Sequence, residues 1–230
     1  MSLIENNFLY LFVLILSLSF PLVRSFEQKL KFASNIKAIS ISCFFMMIIF
    51  IPWDILFTKI NVWSFNSEYI TGFKIFLLPI EEWMFFIIIP YCCLFIHESL
   101  ILIRGRSPVR EKIYSNTSVI VAVIFLIIAI TNNDKFYTLS SFGLASILLF
   151  LFSFKKYKWF YNFLRTYLFS LIALLVVNGV LTGSFIENQI VSYNENHFMG
   201  YRIFTIPIED TIYCFSMLFI VIGIYEKLKN

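Results

Sequence analysis

The chain has 230 residues, of which 60% are hydrophobic and only 14% are charged, and its formal net charge is +4. So few charged residues cannot cover the surface of a water-soluble domain of this size, so the composition indicates an integral membrane protein. The small positive excess is explained by the placement of basic residues between apolar segments, and no nucleic-acid partner is needed to account for it.

Seven apolar segments approach the roughly 20 residues that a membrane-spanning helix needs. In chain order they cover about residues 8–23, 36–57, 74–97, 117–131, 136–154, 164–184 and 203–224. The sequence therefore predicts an all-α integral membrane protein with about seven transmembrane helices. No basic residue precedes the first apolar segment, so we expect this segment to remain as a helix and not to be cleaved as a signal peptide.

The basic residues between these segments predict how the chain is oriented, because short cytoplasmic loops retain Lys and Arg. If the N-terminus lies outside, the cytoplasmic side receives 14 of the 18 basic residues. The other side keeps Lys59, Lys74, Lys135 and Arg202. This asymmetry favours a multi-pass protein of the cell membrane with its N-terminus outside and its C-terminus in the cytoplasm.

An internal repeat relates the two halves of the chain. When the sequence is shifted by 128 residues, YITGFKIFLLPIEE at 69–82 falls on HFMGYRIFTIPIED at 197–210, and six positions are identical. The same shift carries the first three spans onto the last three. We therefore expect a first repeat at residues 1–103, a connector with the fourth span at 104–132 and a second repeat at 133–230. The connector adds one crossing, so the two three-helix repeats are parallel.

Each repeat carries two adjacent acids behind a proline: Glu81 and Glu82 follow Pro79, and Glu209 and Asp210 follow Pro207. An ionisable residue near the centre of a spanning helix costs roughly 2.5–3.5 kcal/mol, so such residues are usually turned inward for a functional reason. A helix that starts at residue 74 would place Glu81 about 10 Å along its axis. The prolines either kink these helices or begin them.

Burial and a like-charged neighbour both disfavour an ionised carboxylate, so each pair is expected to hold a proton near neutral pH and to act as a proton donor. The repeat places both pairs at similar depth, where they can face one shared cavity. Adjacent residues point about a quarter turn apart on a helix, and the sequence does not decide which acid of each pair faces the cavity.

Aromatic residues surround both pairs, among them Trp53, Trp83 and Tyr213. Ring faces stabilise a cation without supplying a nucleophile that would trap it, so an acid beside them suits carbocation chemistry. However, 20% of the chain is aromatic, and any single ring near the acids is explained as well by packing or by anchoring at the membrane interface.

The sequence predicts neither a cofactor nor a metal site. The seven glycines do not form a G-x-G-x-x-G motif, so no dinucleotide-binding fold is expected. His97 and His197 lie far apart in sequence and in predicted membrane depth. The four cysteines lie within predicted spans and are expected to pack as small apolar side chains.

The motifs PIEE at 79–82 and PIED at 207–210 resemble the PxE(E/D) motif of the heterodimer-type lycopene cyclase family. IPWDILFTKINVWSFNSEYITGFKIFLLPIEE at 51–82 resembles the first of its two subunits, and NGVLTGSFIENQIVSYNENHFMGYRIFTIPIED at 178–210 resembles the second. Two tandem copies resemble the fused, single-chain form of this carotenoid cyclase. The resemblance covers nearly the whole chain.

The resemblance implies a lycopene β-cyclase, an intramolecular lyase or isomerase of carotenoid biosynthesis that converts lycopene to γ-carotene and β-carotene without net redox change. It implies lycopene or a related linear carotenoid as substrate, and the lipid bilayer and other carotenoid-pathway enzymes as partners. It assigns proton-donor, cation-stabilising or base roles, without deciding among them, to Glu81, Glu82, Glu209 and Asp210. It assigns substrate-lining or shaping roles to Pro79, Pro207, Trp53, Asp54, Asn178 and Thr182.

Four other classes of protein can be compared with these features of the sequence. A proton- or ion-coupled membrane transporter would also explain buried carboxylates, parallel repeats and proline-broken helices. A seven-helix photoreceptor needs a lysine in the last span, and residues 203–224 contain none. A prenyltransferase needs aspartate-rich motifs, which the sequence lacks. A purely structural protein does not explain why the acids recur at a fixed offset.

Overall fold

The structure is a computed structural model that describes residues 6–106, 111–155 and 157–229, with the side chains of all of these except 6 and 111–115. The described residues form seven α-helices: α1 Leu9–Arg24, α2 Ile36–Lys59, α3 Ile80–Arg104, α4 Glu111–Thr131, α5 Phe136–Lys155, α6 Phe160–Leu181 and α7 Ile208–Leu228. Residues 107–110 of the predicted connector lie outside the described part of the chain. The all-α class is as predicted.

The helices have the surface of a membrane protein. Five of them, α2, α3, α5, α6 and α7, are long and apolar enough to cross a membrane, and Leu9–Arg24 and Asn116–Thr131 are shorter apolar helical segments. Large apolar side chains point outward, with exposed fractions of 78% at Phe154 and 63% at Ile172, whereas all four predicted acids are buried. Polar groups inside and apolar groups outside are the arrangement that a lipid solvent favours.

The predicted starts of the third and seventh spans are wrong. Residues 74–79 and 202–207 form short β-hairpins instead of helix: β2 Lys74–Ile75 pairs with β3 Leu78–Pro79, and β5 Arg202–Ile203 pairs with β6 Ile206–Pro207. A residue that precedes proline disfavours the α conformation, so a helix cannot easily run through Leu78 or Ile206. Phe76 and Leu77 make the first turn with φ of 48° and 72°. These positive values suit a two-residue hairpin turn.

A third strand pair joins the two halves of the chain. β1 Trp63–Phe65 runs antiparallel to β4 Val191–Tyr193, with Ser64 opposite Ser192 at its centre. The flanking hydrogen bonds are reciprocal: the Asn66 amide donates to the Ile190 carbonyl, and the Asn194 amide to the Val62 carbonyl, both at 2.9 Å. Each of these residues lies 128 positions from its counterpart, so this pair has local twofold symmetry.

The offset of 128 does not extend to every helix. It relates the starts of α3 and α7 at Ile80 and Ile208, but α2 and α6 begin 124 residues apart, at Ile36 and Phe160. α3 packs on α1 and α6, and α7 packs on α2 and α5, while α4 covers the outer side of α5. The three short strand pairs and the first turns of α3 and α7 all lie at one end of the bundle, which we call the hairpin end.

Candidate active site

The four predicted acids lie in the first turns of two helices. Pro79 and Pro207 stand at the N-cap positions of α3 and α7, so both prolines begin a helix and neither kinks one. Proline is well suited to a helix start because its φ is fixed and it has no N–H to satisfy. The expectation that Glu81 lies about 10 Å into a helix from Lys74 is therefore wrong, because Lys74 lies in β2, paired with Pro79.

One acid of each pair holds the loop before its helix. Glu81 accepts a hydrogen bond from the Thr71 amide at 2.7 Å, and Glu209 accepts one from the Met199 amide at 2.9 Å. Glu209 also accepts a bond of 2.7 Å from the Thr138 hydroxyl. Both acids are fully buried, so these bonds supply each carboxyl group with a donor inside the protein. We call Glu81 and Glu209 the loop-binding acids.

The other acid of each pair faces a cavity that the two halves of the chain share. Glu82 and Asp210 both line it, together with Asp54 of α2, Asn178 of α6 and Thr182, which directly follows α6. We call this cavity, whose free volume is about 60 Å³, the acid chamber. Its position between the starts of α3 and α7 agrees with the expected shared cavity. The structure thus separates the four acids into two at the chamber and two at the loops.

Asp210 is held by three donors. Its Oδ1 accepts a hydrogen bond of 2.6 Å from the Tyr137 hydroxyl, and its Oδ2 accepts bonds of 3.0 Å from Tyr193 and 3.1 Å from the Asn178 amide. Burial raises the pKa of the Tyr193 phenol well above its usual value, so Tyr193 keeps its proton and remains a donor. An ionised carboxylate only accepts hydrogen bonds, so three donors match that form of Asp210.

Glu82 has a less polar environment. Among the described residues, its hydrogen-bond donor is Tyr10 of α1, whose hydroxyl lies 2.6 Å from Oε2 of Glu82. Asp54 shares the chamber, is 2% exposed, and has its Oδ2 buried without a hydrogen-bond partner. Two neighbouring carboxyl groups with so few donors favour a shared proton, since like charges at a buried site disfavour ionisation of both.

Aromatic rings form much of the chamber wall. Trp63, Tyr137 and Tyr213 all line it, with the rings of Trp63 and Tyr137 at a centroid distance of 5.3 Å and nearly perpendicular. Tyr213 meets Tyr137 edge to face at 6.2 Å. Such rings offer their negative faces or polar edges to a positive charge inside the chamber. Phe85 and Phe86 line the same space one turn further along α3.

The remaining predicted residues divide between the chamber and its supports. Asp54, Asn178, Thr182 and Tyr213 line the chamber. Trp53 lies behind the wall, where its ring meets Tyr213 at 5.2 Å. Trp83 also lies away from the chamber, and its Nε1 donates to the Ile75 carbonyl at 3.2 Å. Trp53 therefore packs against a chamber residue, and Trp83 fixes the first hairpin.

Three tyrosines of the chamber were missed as site residues in the sequence. Tyr10 and Tyr137 each lie in the first turn of a helix, and each donates to the chamber-lining acid of its own half, Glu82 or Asp210. Tyr193 reaches Asp210 from β4. The signal for the first two was the internal repeat, because Tyr10 and Tyr137 lie 127 residues apart at the starts of equivalent spans. Tyr193 gave no comparable signal, since its contact depends on the pairing of β1 with β4.

A second polar cluster lies at the opposite end of the bundle. His97, Glu98 and Glu226 place possible metal-ligand atoms within 4.8 Å of one another. However, the Lys229 amine bonds Glu98 at 2.5 Å and Glu226 at 2.7 Å, and the Arg106 guanidinium bonds Glu226 at 3.0 Å. These cations already balance the carboxylates, so the cluster is explained as an ion-pair network that joins α3 to the end of α7.

Comparison with known proteins gives one finding. A protein-family model described as Lycopene cyclase matches residues 7–100 and 134–228. The first matched stretch contains α1, α2 and most of α3, the second contains α5 to α7, and each includes one acid pair. No curated protein and no solved structure gives a significant match to the chain.

Proposed function

Because the chain belongs to the lycopene cyclase family, we propose that it closes the linear end groups of lycopene into β-ionone rings, giving γ-carotene and then β-carotene. Family membership supports carotene cyclisation in general. The observation that carries the finer proposal is the acid chamber, in which Glu82 and Asp210 from the two halves of the chain share one aromatic-lined space.

We assign the proton donor to Glu82. A group that protonates an alkene must hold its proton in a site from which water is largely excluded. Burial helps, because it keeps the acid protonated until the substrate arrives. Glu82 is buried beside Asp54, with Tyr10 as its hydrogen-bond donor. In the proposed first step the terminal double bond takes the proton of Glu82, a C–H bond forms, and Glu82 becomes a carboxylate.

Ring closure then needs no further group from the protein. The tertiary cation is attacked by the nearby double bond of the same end group, which forms the ring C–C bond and moves the positive charge into the ring. Trp63, Tyr137 and Tyr213 line the space in which this charge develops. Their rings stabilise a cation by about 0.5–2 kcal/mol each and do not add to it as a carboxylate could.

Asp210 is assigned to the last step. Its three hydrogen-bond donors suit a carboxylate that stays ionised until the ring cation forms. The ring cation loses a proton to Asp210, and the electrons of that C–H bond form the ring double bond. Return of a proton from Asp210 to Glu82 restores both groups, so the whole reaction is an isomerisation without oxidant or reductant.

We propose that Glu81 and Glu209 take no part in proton transfer. Each is bound to a backbone amide at the base of its loop and lies outside the chamber wall. Their role is to fix the loops so that the chamber residues stand in place. Pro79 and Pro207 have a supporting role of the same kind, because they set where α3 and α7 begin.

The proposed location is a cell membrane crossed several times, with the hairpin end on the outer side. The basic residues support this orientation: Arg24, Arg104 and Lys227 lie in the last turns of α1, α3 and α7, at the end opposite the hairpins. Short cytoplasmic segments retain such residues. We also propose that the chain consists of two parallel three-helix repeats joined by a connector.

The test is expression of the chain in a bacterium engineered to accumulate lycopene, followed by separation of the pigments. We expect γ-carotene and β-carotene, with lycopene depleted. Lycopene that persists without any one-ring or two-ring product, in cells whose membranes contain the folded protein, would contradict the proposed function.

A further inference from the structure

A large apolar cavity adjoins the acid chamber between α1, α3 and α6. Its volume is about 390 Å³, and its lining includes Ser17, Phe20, Ile89, Cys93, Ser170 and Val177. Along α3 it extends from Phe85 to Ile96, which is about 16 Å at 1.5 Å per residue. The cavity therefore runs from the level of the acids toward the opposite end of the bundle.

The two cavities adjoin each other and share part of their walls. Phe85, Leu174, Asn178 and Cys214 line both of them. We call these four residues the junction. The chamber is the smaller of the two, at about 60 Å³ against about 390 Å³ for the apolar cavity. An end group can therefore meet the acids at the junction while the rest of the molecule lies in the apolar cavity.

The cavity also reaches the lipid-facing surface. Phe20 of α1 and Val176 of α6 line it and are 66% and 61% exposed. Ala173, one turn from Val177, lines it as well and is exposed. An opening flanked by apolar side chains on the outer face of the bundle admits a hydrocarbon from the bilayer and excludes a polar solute.

The other half of the chain carries larger side chains at the equivalent positions. At successive inward-facing positions α6 carries Ser170 and Leu174, whereas α2 carries Met46 and Phe50, both fully buried. The ring of Phe50 packs on Tyr213 at a centroid distance of 4.9 Å. The small side chain of Ser170 therefore leaves more room on the α6 side than the longer side chain of Met46 leaves on the α2 side.

From this geometry we propose that the cavity between α1, α3 and α6 binds the polyene chain of a linear carotenoid, which enters sideways from the bilayer and presents one end group at the junction. The proposal rests on the proposed function and adds the binding site of the unreacting part of the substrate. Since this cavity leads to the chamber from one side, a two-ring product requires the carotenoid to leave and bind again in the reverse direction.

The experiment fills the cavity without touching the acids. Ser170→Phe closes it at mid-depth, and Ala173→Trp narrows its opening with less risk to folding. Ile172→Phe is the matched control, because Ile172 lies on the same helix but is 63% exposed and does not line the cavity. Each change is made in the active chain and in a Glu82→Gln background, in cells that accumulate lycopene.

We expect the lycopene that co-purifies with the Glu82→Gln protein to fall roughly tenfold with either cavity variant and to stay unchanged with the control. In the active chain, we expect the cavity variants to lower kcat/KM through KM. If both cavity variants are membrane-inserted and retain pigment and KM like the control, the carotenoid does not bind in this cavity and the proposal is overturned. Absence of ring products from the unmodified chain would instead reject the proposed function.

Discussion

The phenolic hydroxyl of Tyr10 donates a hydrogen bond of 2.6 Å to Oε2 of Glu82, which joins the first turn of α1 to the first turn of α3. Tyr137 makes the corresponding contact to Asp210, also at 2.6 Å. The same type of contact thus orients the chamber-lining acid of each half, although one acid is Glu and the other is Asp. The two acids differ in their remaining partners, and that difference supports their separate roles.

The Tyr10 contact leads to the first prediction. Tyr10→Phe removes the hydroxyl and leaves the ring, so Glu82 loses its donor and its fixed orientation. We expect cyclisation to slow about tenfold, because a hydrogen bond worth about 1.4 kcal/mol corresponds to a factor of ten in rate. The measurement is the initial rate of ring formation in isolated membranes.

Tyr201→Phe is the control for this change, since Tyr201 is 70% exposed at the hairpin end and does not line the chamber. Its rate should equal that of the unmodified chain. A Tyr10→Phe protein that also retains the full rate would show that the contact does not orient the acid.

Asp210→Asn tests the proposed base. The amide cannot accept a proton from the ring cation, and its NH₂ group would face one of the three donors that now bind the carboxylate. We expect the rate of ring formation to fall by roughly a hundredfold or more, the usual effect of removing a general base. Pigment analysis after a fixed time measures it, and ring formation within a few-fold of normal would exclude Asp210 from the reaction.

A third prediction concerns the loop-binding acids and uses stability as its readout. Glu81→Ala removes the acceptor of the Thr71 amide, and such a hydrogen bond is worth about 0.5–1.5 kcal/mol. Glu81→Gln keeps a carbonyl oxygen at the same place. We therefore expect the alanine variant to lower the Tm of the detergent-solubilised protein and the glutamine variant to leave it nearly unchanged. An equal fall in Tm for the alanine and glutamine variants would mean that the negative charge itself stabilises the loop.

A glycine in α7 gives a prediction about packing away from the site. A Cβ at Gly223 would lie 2.8 Å from Cζ2 of Trp159, so Gly223→Ala forces this buried indole to move. Overpacking of this kind costs about 1–3 kcal/mol, and the Tm should fall.

Gly143 in α5 is the matched control for Gly223, because a Cβ there meets nothing within 4 Å. Gly143→Ala should leave the Tm unchanged or raise it, since alanine favours helix over glycine by up to about 1 kcal/mol. The same Tm change in both proteins would show that contact with Trp159 is not the cause.

The sequence predicted an all-α membrane protein and named the four acids as candidate site residues, but it did not predict how the acids are arranged. Apolar periodicity could not distinguish the hairpin at Lys74–Pro79 from the first turns of a helix, because both are short and largely apolar. The turn at Phe76 and Leu77 uses positive φ without glycine or asparagine, so the usual turn signal was missing.

The division between chamber and loop acids depends on contacts between distant segments. Neighbouring residues on a helix point about a quarter turn apart, so either Glu81 or Glu82 could have faced the cavity until the positions of Thr71 and Tyr10 were known. Tyr193 reaches Asp210 only because β4 pairs with β1 across the two halves. The apolar cavity could not be predicted either, because it depends on the difference between the side chains at equivalent positions of α2 and α6.

The most direct test of the account compares Glu82→Gln with Glu81→Gln, two adjacent and chemically identical changes, in cells that accumulate lycopene. With protein amounts matched in the membrane, the one-ring and two-ring carotenes are separated and measured. We expect Glu82→Gln to leave lycopene uncyclised, whereas Glu81→Gln should still form rings. Ring formation by Glu82→Gln together with its loss in a folded Glu81→Gln protein would contradict the assignment of the proton donor.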